Sequence, residues 1–219
     1  MPSVEVVIPF GGTDAGRRSV LAWILDHWRT NHPDWTVTLA EQPEGDWSKG
    51  ATVNPRLLAS AADVIVVADA DSWVPPRQLV QAVALATRHG WAMPNTHVRR
   101  IAEADTARIL GGESVPRPRC ERIRVARPGG GIVVARRDIW HQVRGIDPRF
   151  VGWGGEDAAL GLVLQVLHPR EPSVRGPLWH MWHPTEGRTP RPESSALMGR
   201  YRAARRSREA LLSMVGEWS

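Results

Sequence analysis

Short apolar runs recur along the first seventy residues, and polar segments separate them. The runs at 4–9, 35–40 and 64–67 have the length of strands. The last of them reads Val-Ile-Val-Val and is apolar at every position, which is typical of a strand buried on both faces. The pattern therefore predicts three strands in this part of the chain.

Apolar residues near helical spacing fill the intervals between these runs. They predict helices over 15–29 and 51–61, and a third helix that begins at Pro75 and Pro76. A chain that begins strand–helix–strand–helix–strand favours a mostly parallel, Rossmann-like α/β sheet with helices on both faces. In such a sheet, ligands bind beyond the carboxyl ends of the strands.

The second half of the chain is less regular. Residues 99–127 are rich in Arg and are either a mobile loop or an excursion from the sheet. A glycine-led strand and a helix start follow within 129–140, and another helix begins near Gly155. A short last strand is predicted within 177–184, and a basic amphipathic helix over 194–214.

The chain has 219 residues, enough for one domain with a sizeable core. We predict a single domain over 1–184, followed by a linker and a basic helix over 185–219. The net charge is +5 and Lys49 is the only lysine, so nearly all positive charge is arginine, whose planar fork binds oxyanions. From charge alone, arginines that bind a nucleotide or nucleic acid are no better supported than arginines that simply face solvent.

Cysteine content and hydropathy bear on the compartment. Cys120 is the single cysteine and cannot form an internal disulfide, which suits a reducing environment. The N-terminus lacks the charged and apolar regions of a signal peptide. No apolar run approaches the roughly 20 residues needed to span a bilayer. We therefore expect a cytoplasmic protein without a membrane span.

Two carboxylates, Asp69 and Asp71, directly follow the run at 64–67. If the chain stays extended there, both point to the same side, where two like charges need a cation, a proton or solvent. Taken alone, the motif fits a solvated turn with an aspartate capping the next helix. It also fits a phosphatase site, or a metal-binding nucleic-acid domain with Glu5 as its upstream glutamate.

Three further stretches carry polar groups that suit chemistry. Residues 151–160 combine a flat tryptophan, two glycines and two acidic residues at a helix start, which suits a sugar ring. His180 and His183 would diverge in a strand and converge in a turn, where imidazole is a common metal ligand. Lys49 and Asn54 either contact a diphosphate or sugar hydroxyls, or simply lead into a helix.

The stretches VVIPFGG, KGATVN, VVADADSWVPP, GGGIVVARRDIW and GIDPRFVGWGGEDAAL together resemble nucleotide-sugar glycosyltransferases with the GT-A fold. The resemblance is strongest toward the β-1,4-galactosyltransferase group and the catalytic domains of polypeptide N-acetylgalactosaminyltransferases. The motifs occur in the family's order across residues 4–184. The Trp-Gly-Gly-Glu-Asp stretch is the most specific of them.

The resemblance implies a divalent metal ion, Mn²⁺ or Mg²⁺, that bridges the protein and a diphosphate. Asp71 is the implied carboxylate ligand, and Asp69 contacts either the ribose or the metal. His183 matches a ligand histidine of the galactosyltransferases. His180 falls where these enzymes have a methionine ligand, so it is a ligand or a neighbour of one.

The resemblance also implies the substrates and the reacting groups. The donor is a nucleoside-diphosphate sugar, with a UDP-sugar expected, and the acceptor is a glycan, a protein or a modified nucleic acid. Asp157 matches the catalytic base, and Glu156 orients the acceptor. The residues expected to contact the nucleotide sugar lie in the five motifs: Pro9, Phe10, Gly11, Lys49, Asn54, Asp69, Gly130, Gly131, Trp153, Gly154 and Gly155.

These observations predict a metal-dependent glycosyltransferase that inverts the anomeric configuration. Retaining relatives share the Trp-Gly-Gly-Glu pattern, so the stereochemistry stays open. The alternative is an arginine-rich nucleic-acid-binding module, or a metal-dependent enzyme that acts on nucleic acid or phosphate through the Asp-x-Asp motif. Segment 113–127 has no counterpart in the family pattern, and we expect residues 99–127 to become ordered when the donor binds.

Overall fold

A computed structural model describes residues 2–12, 14–42, 45–170, 172–184 and 191–218. No helix in these ranges has both the length and the apolar character needed to cross a membrane. In chain order the elements are β1 (Val4–Gly11), α1 (Ala15–Asn31), β2 (Thr36–Gln42), α2 (Lys49–Ala59), β3 (Val64–Ala68), β4 (Ser72–Trp73), α3 (Pro76–His89), β5 (Trp91–Ala92), β6 (His97–Ile101), α4 (Glu103–Leu110), β7 (Cys120–Val125), β8 (Ile132–Arg136), α5 (Arg137–Gln142), α6 (Glu156–Leu167), β9 (Pro177–His180), α7 (Pro192–Ala204) and α8 (Arg208–Gly216).

The central sheet has five strands in the order β2-β1-β3-β8-β5. Strand β1 is parallel to both β2 and β3, whereas β8 is antiparallel to β3 and to β5. Four of the five strands therefore run in the same direction, and only β8 is reversed. The predicted mostly parallel α/β sheet is confirmed, with the carboxyl ends of β1 and β3 at one edge.

A second sheet, in the order β4-β9-β6-β7, was not predicted. Its strands are short, and β4 has only two residues, so the sequence pattern gave little sign of them. The arginine-rich segment 99–127 supplies the end of β6, all of α4 and all of β7. Of the two interpretations of this segment, the excursion from the main sheet is correct. Ordering by the donor stays a prediction.

Both faces of the central sheet are buried, and side chains alternate between them. In β3, Val64 and Val66 face a cluster built with α1, α3 and the second sheet. Ile65 and Val67 face a second cluster, built with α2, α5, α6 and the two C-terminal helices. The prediction that this strand is buried on both faces is confirmed.

The basic helix predicted over 194–214 is in fact two helices, α7 and α8. The break arises because the Ser207 hydroxyl accepts a hydrogen bond from the Ala210 amide and so caps the start of α8. The predicted linker falls partly on residues 185–190, which lie outside the described residues. Both helices contribute buried side chains to the second cluster: Leu197, Met198, Tyr201, Leu211, Met214 and Val215.

Candidate active site

A buried lysine joins two carboxylates where β3 ends. Lys49 is the first residue of α2, and the Ser48 hydroxyl caps this helix by accepting from the Ala51 amide. The Nζ atom of Lys49 lies 2.6 Å from Oδ1 of Asp69 and 2.8 Å from Oδ1 of Asp157, and the lysine side chain is only 8% exposed. The loop after β3 and the start of α6 are thus held together through one ammonium group.

The charges around this ammonium group are unequal. Burial alone would lower the pKa of Lys49, but Asp157, Asp69 and Glu156 outweigh it and raise that pKa. Burial is also the main cause that raises the pKa of Asp69, to which Asp157 and Asp71 add while Lys49 opposes them. Several carboxylates therefore share one cation, and the cluster has a net negative charge when all of them are ionised.

The bridging role of Lys49 was missed in the sequence, where this residue was expected to contact a diphosphate or sugar hydroxyls. Its two partners lie 20 and 108 residues away along the chain, so no local pattern reveals them. One signal was available: Lys49 is the only lysine among the 28 lysine and arginine residues of the chain. A compact ammonium group fits between two carboxylates, whereas the larger guanidinium fork would need more space.

Glu156 begins α6 directly after Gly155, whose φ of 108° lies in the left-handed region. Its Oε2 atom is buried and has no hydrogen-bond partner among the described residues. Burial raises the pKa of Glu156, the charge of Asp157 raises it further, and Lys49 acts in the opposite direction. A buried oxygen without a partner costs free energy, which a ligand hydroxyl would recover by donating a hydrogen bond.

Asp71 lies between two imidazoles. Its Oδ1 is 3.6 Å from Nε2 of His180, and its Oδ2 is 3.2 Å from Nε2 of His183. The potential ligand atoms of these three residues all lie within 4.8 Å of one another. Strand β9 ends at His180 and residues 181–184 form no regular element, so the two histidines converge on Asp71 and do not point to opposite sides as they would in a strand.

Backbone contacts orient both rings. Nδ1 of His180 lies 2.7 Å from the carbonyl oxygen of Met181, and Nδ1 of His183 lies 2.8 Å from that of Pro184. A carbonyl oxygen can only accept, so each Nδ1 donates to its carbonyl and each ring turns its Nε2 toward Asp71. Burial would raise the pKa of Asp71, but His180 and His183 outweigh it and lower that pKa.

The contact of Asp69 with either the ribose or the metal stays a prediction, and Asp69 lies outside this three-residue cluster. The reason is a turn: the Ser72 amide donates to the Asp69 carbonyl oxygen at 3.1 Å, so the chain does not stay extended between the two aspartates. The Asp69 carboxylate therefore faces Lys49, while Asp71 faces the imidazoles. The two acidic side chains belong to adjacent but separate clusters.

The glycine turn before β8 approaches α6 closely. A Cβ atom on Gly129 would lie 2.0 Å from the carbonyl oxygen of Asp157, so only glycine fits there. At Gly130, a Cβ would be 3.4 Å from Oδ2 of Asp157, the carboxylate oxygen that Lys49 does not bind. The Gly131 carbonyl oxygen accepts from the Asp69 amide at 2.8 Å. The predicted Gly130 therefore lies beside the Asp157 carboxylate and the predicted Gly131 beside the backbone of Asp69, and Gly129 was missed.

The loop before α6 presents an exposed aromatic ring. Trp153 is 48% exposed, and Gly154 and Gly155 both have positive φ, at 95° and 108°. A Cβ on Gly155 would approach the Phe150 ring to 2.5 Å. The two glycines therefore allow a tight turn that leaves the indole at the surface, three and four residues before Glu156 and Asp157 in the chain.

The predicted residues at the end of β1 have packing partners. Phe10 is 1% exposed, and the guanidinium of Arg18 lies 5.3 Å above its ring. Pro9 is buried as well. A Cβ on Gly11 would approach the Trp47 ring to 2.2 Å, which explains the glycine. A role of Pro9, Phe10 and Gly11 beside a nucleotide stays a prediction.

Asn54 holds a turn of the protein itself. Its Nδ2 donates to the Ile146 carbonyl oxygen at 2.7 Å, and its Oδ1 accepts from the Ile146 amide at 2.9 Å. Both polar atoms of the amide are therefore used in tying α2 to the turn before residue 147. The structure does not bring Asn54 to the carboxylates, and the contact expected with a nucleotide sugar has no support from this geometry.

Part of this site matches a known protein family. Residues 120–167 match the family model described as the N-terminal domain of galactosyltransferase. This stretch contains the glycine turn, Trp153 and the Glu156–Asp157 pair. No curated protein is similar enough in sequence to match the chain.

Solved structures show the same fold. A variant of Drosophila β-1,4-galactosyltransferase 7, in complex with manganese, UDP-Gal and xylobiose, superposes with a TM-score of 0.53 at 15% identity, over 80% of this chain and 65% of that chain. GalNAc-T7 with UDP, GalNAc and Mn²⁺ superposes with a TM-score of 0.53 at 13% identity, over 86% of this chain and 45% of that chain. The predicted GT-A fold is confirmed, and the chain spans less than two thirds of the length of either structure.

Proposed function

We propose that this chain is a metal-dependent glycosyltransferase that transfers a sugar from a UDP-sugar to an acceptor hydroxyl with inversion at the anomeric carbon. One observation carries the proposal: the Asp71–His180–His183 cluster lies next to the Lys49-bridged carboxylate of Asp157, at the carboxyl ends of the strands. The GT-A fold and the galactosyltransferase family match over 120–167 support it.

The residues present fit a divalent ion. One carboxylate and two imidazoles, with ligand atoms within 4.8 Å of one another, form a compact set of nitrogen and oxygen donors. Two imidazoles favour Mn²⁺ over Mg²⁺, because magnesium prefers oxygen ligands. Asp71, His180 and His183 would hold the ion. When bound, it would neutralise the negative charge that develops on the leaving diphosphate.

In this proposal Asp157 accepts a proton. Lys49 binds its Oδ1 and so fixes the orientation of the carboxylate, while its Oδ2 faces the space above Gly130. We assign Oδ2 the proton of the acceptor hydroxyl. As the proton moves to Asp157, the acceptor oxygen forms a bond with the sugar C1 carbon. The bond from C1 to the diphosphate oxygen breaks, and its electron pair leaves with the diphosphate.

Glu156 and Trp153 suit the binding of the acceptor. The unpartnered Oε2 of Glu156 would accept a hydrogen bond from a second acceptor hydroxyl, which would satisfy the buried oxygen. The half-exposed indole of Trp153 offers a flat apolar surface against which a sugar ring can stack. Glu156 directly precedes Asp157 and Trp153 lies four residues before it, so an acceptor held by them would have a hydroxyl near the base.

Thermal unfolding tests the proposal. UDP and Mn²⁺ together should raise the melting temperature of the wild type more than either does alone, because a ligand that binds only the folded state stabilises it. Asp71→Asn should abolish the joint effect. Asp26→Asn is the matched control, since it removes an exposed aspartate from α1. Equal joint stabilisation of Asp71→Asn and wild type would contradict the metal assignment.

Turnover tests the reaction itself. Wild-type protein with Mn²⁺ should release UDP from a UDP-sugar, with water or an added hydroxyl compound as acceptor. The anomeric configuration of the product, followed by NMR, should be opposite to that of the donor. A retained configuration would overturn the assignment of Asp157 as the base.

A further inference from the structure

The second sheet carries a line of cationic side chains that begins at the metal cluster. In its register, Arg100 of β6 pairs with His180 of β9 on one side and with Arg122 of β7 on the other. Residues paired across neighbouring strands project from the same face of a sheet. His180, Arg100 and Arg122 therefore follow one another across three strands, on the face that bears the candidate metal ligand.

Arg124 extends this line toward the proposed base. It is two residues after Arg122 in β7, so it projects from the same face. Partial burial is the largest cause that lowers the pKa of Arg124, and the charges of Arg100, Arg122 and Arg127 lower it further. The charge of Asp157 raises it. These mutual influences mean that Arg124 lies within electrostatic range of both the other arginines and Asp157. We call Arg100, Arg122 and Arg124 the arginine row.

Two members of the arginine row place like charges opposite each other. Like charges directly opposite in neighbouring strands destabilise a sheet, and Arg100 and Arg122 form such a pair. Other arginines of the same segment have carboxylate partners: Arg119 lies 2.8 Å from Asp105, and Arg108 lies 2.8 Å from Glu113.

Within the described part of the chain, neither Arg122 nor Arg124 forms an ion pair with a carboxylate. Both of these side chains are exposed to solvent. Two exposed arginine forks without carboxylate partners in this part of the chain fit an oxyanion ligand, since each fork can bind two oxygens.

We propose that the arginine row binds a phosphate group of the acceptor, so that the substrate class is a hydroxyl compound bearing a phosphate near the reacting hydroxyl. This inference rests on the proposed function, because it takes the donor diphosphate to lie at the Asp71–His180–His183 cluster. Adjacent strands are about 4.8 Å apart, so the backbone of Arg122 lies roughly 10 Å from that of His180. That separation leaves room for a second anionic group on the acceptor side, next to Asp157.

Two sources of this phosphate share the same chemistry: a small phosphorylated alcohol and the backbone of a nucleic acid. Glycerol 3-phosphate is the first probe and a short thymidine oligonucleotide is the second. Binding is measured by calorimetry with UDP and Mn²⁺ at saturation, so that the donor site is occupied. A steep loss of affinity with salt for the oligonucleotide alone would identify the nucleic-acid source. Tight binding of glycerol 3-phosphate, with no stronger binding of the oligonucleotide, would identify the small molecule.

The test variant is Arg122→Gln/Arg124→Gln, and Arg29→Gln/Arg88→Gln is the matched control. The control removes the same charge from two exposed arginines in the last turns of α1 and α3. Loss of charged hydrogen bonds to a phosphate should weaken probe binding about tenfold or more in the test variant and leave the control unchanged. The affinity for UDP with Mn²⁺ should be equal in both variants. Arg122→Lys/Arg124→Lys keeps the charge without the fork and should fall between them.

Three results would overturn the proposal. The first is equal affinity of the test variant and the wild type for both probes, and the second is no binding of either probe by the wild type. The third is weaker UDP binding in the test variant with probe affinity unchanged, which would assign the row to the donor. Failure of the proposed function is separate: the wild type would then show no joint stabilisation by UDP and Mn²⁺. In that case the probe measurements without UDP would still test the row.

Discussion

Each end of strands β1 and β3 carries a cluster in which one cation contacts one or more carboxylates. The carboxylate oxygens are satisfied by hydrogen bonds at one end and compete for the cation at the other. At the amino end, Glu5 is 3% exposed, and its carboxylate accepts from Thr38 at 2.7 Å, Arg56 at 2.5 Å and Ser60 at 2.6 Å. At the carboxyl end, Lys49 is shared by several carboxylates, and one oxygen of Glu156 has no partner among the described residues.

The difference is visible in the pKa values. Burial would raise the pKa of Glu5, but hydrogen bonds from Ser60, Thr38 and Arg56 outweigh it and lower that pKa. For Asp69 and Glu156 at the carboxyl end burial prevails, and the pKa values of both are raised. Groups that satisfy one another stabilise a fold, whereas groups left in competition are typical of a ligand site.

The comparison also removes one functional candidate. Glu5 was considered as the upstream glutamate of a metal-binding nucleic-acid domain. It pairs in register with Ile65, four residues before Asp69, so the two side chains start about 13 Å apart along the sheet. Glu5 is fully engaged with its own neighbours, and we therefore assign it to stability alone.

The largest expected effect is that of Asp157→Asn. An amide cannot accept the proton of the acceptor hydroxyl, so kcat for sugar transfer should fall by about 10²–10⁴. The affinity for UDP with Mn²⁺ should stay nearly unchanged, because Asp157 is not one of the three clustered metal-ligand candidates. Glu156→Gln should mainly raise the KM of the acceptor. If Asp157→Asn kept full transfer activity and Glu156→Gln were inactive, Glu156 would be the base and Asp157 would bind the acceptor.

Lys49→Met should give the next largest effect, on stability. It removes the cation between Asp69 and Asp157, which leaves the two carboxylates to repel each other. The loss should be about 2–3 kcal/mol, below the value for a fully buried pair because the carboxylates are 29% and 36% exposed. Ionisation of these acids then opposes folding, so stability should fall as pH rises, and the deficit should be larger at pH 8 than at pH 5.

Arg56→Met is the control for Lys49→Met. It removes the cation from the amino-end cluster in the same helix, α2, where Arg56 is 44% exposed. We expect a smaller loss of stability and no change in UDP affinity. Chemical denaturation at the two pH values, with UDP binding measured beside it, checks both variants. A pH-independent deficit in Lys49→Met would show that packing, and not charge, sets the role of this lysine.

The sequence predicted the fold better than the site. Strand β3 and its neighbours were predictable because their apolar runs are long and bounded by turn residues. The second sheet was missed because β4 has two residues and β9 has four, too few for a recognisable period. Its arginines looked like an irregular loop for the same reason.

Within the site, predictability depended on the distance along the chain. His180 and His183 are close in sequence, so their convergence could be stated as one of two outcomes. The pairing of Lys49 with Asp157 spans 108 residues, and no local motif encodes it. The ligand contact of Asn54 stays a prediction, because an amide that holds a turn cannot be distinguished, in sequence, from one that binds a ligand.

Glu5→Gln tests the amino-end cluster. The folded-state pKa of Glu5 lies below its ordinary value, so its contribution to stability is present above that value and is lost as pH falls through the folded pKa. The variant should lose about 1–2 kcal/mol at pH 7, and the difference from wild type should shrink below roughly pH 4. Its affinity for UDP with Mn²⁺ should not change. Weakened metal or UDP binding would contradict the assignment of Glu5 to stability alone.

The smallest expected effect, and the sharpest for the mechanism, is that of Gly130→Ala. The new Cβ would lie 3.4 Å from Oδ2 of Asp157 and 3.6 Å from the Arg127 carbonyl oxygen, which are ordinary contact distances. Stability should therefore change by no more than about 0.5 kcal/mol. The methyl group would crowd the oxygen proposed to take the proton, so the acceptor KM should rise a few-fold while UDP affinity stays constant. Gly199→Ala, where nothing lies within 4 Å, is the control, and unchanged acceptor kinetics in a folded Gly130→Ala would mean that Oδ2 is not the reacting oxygen.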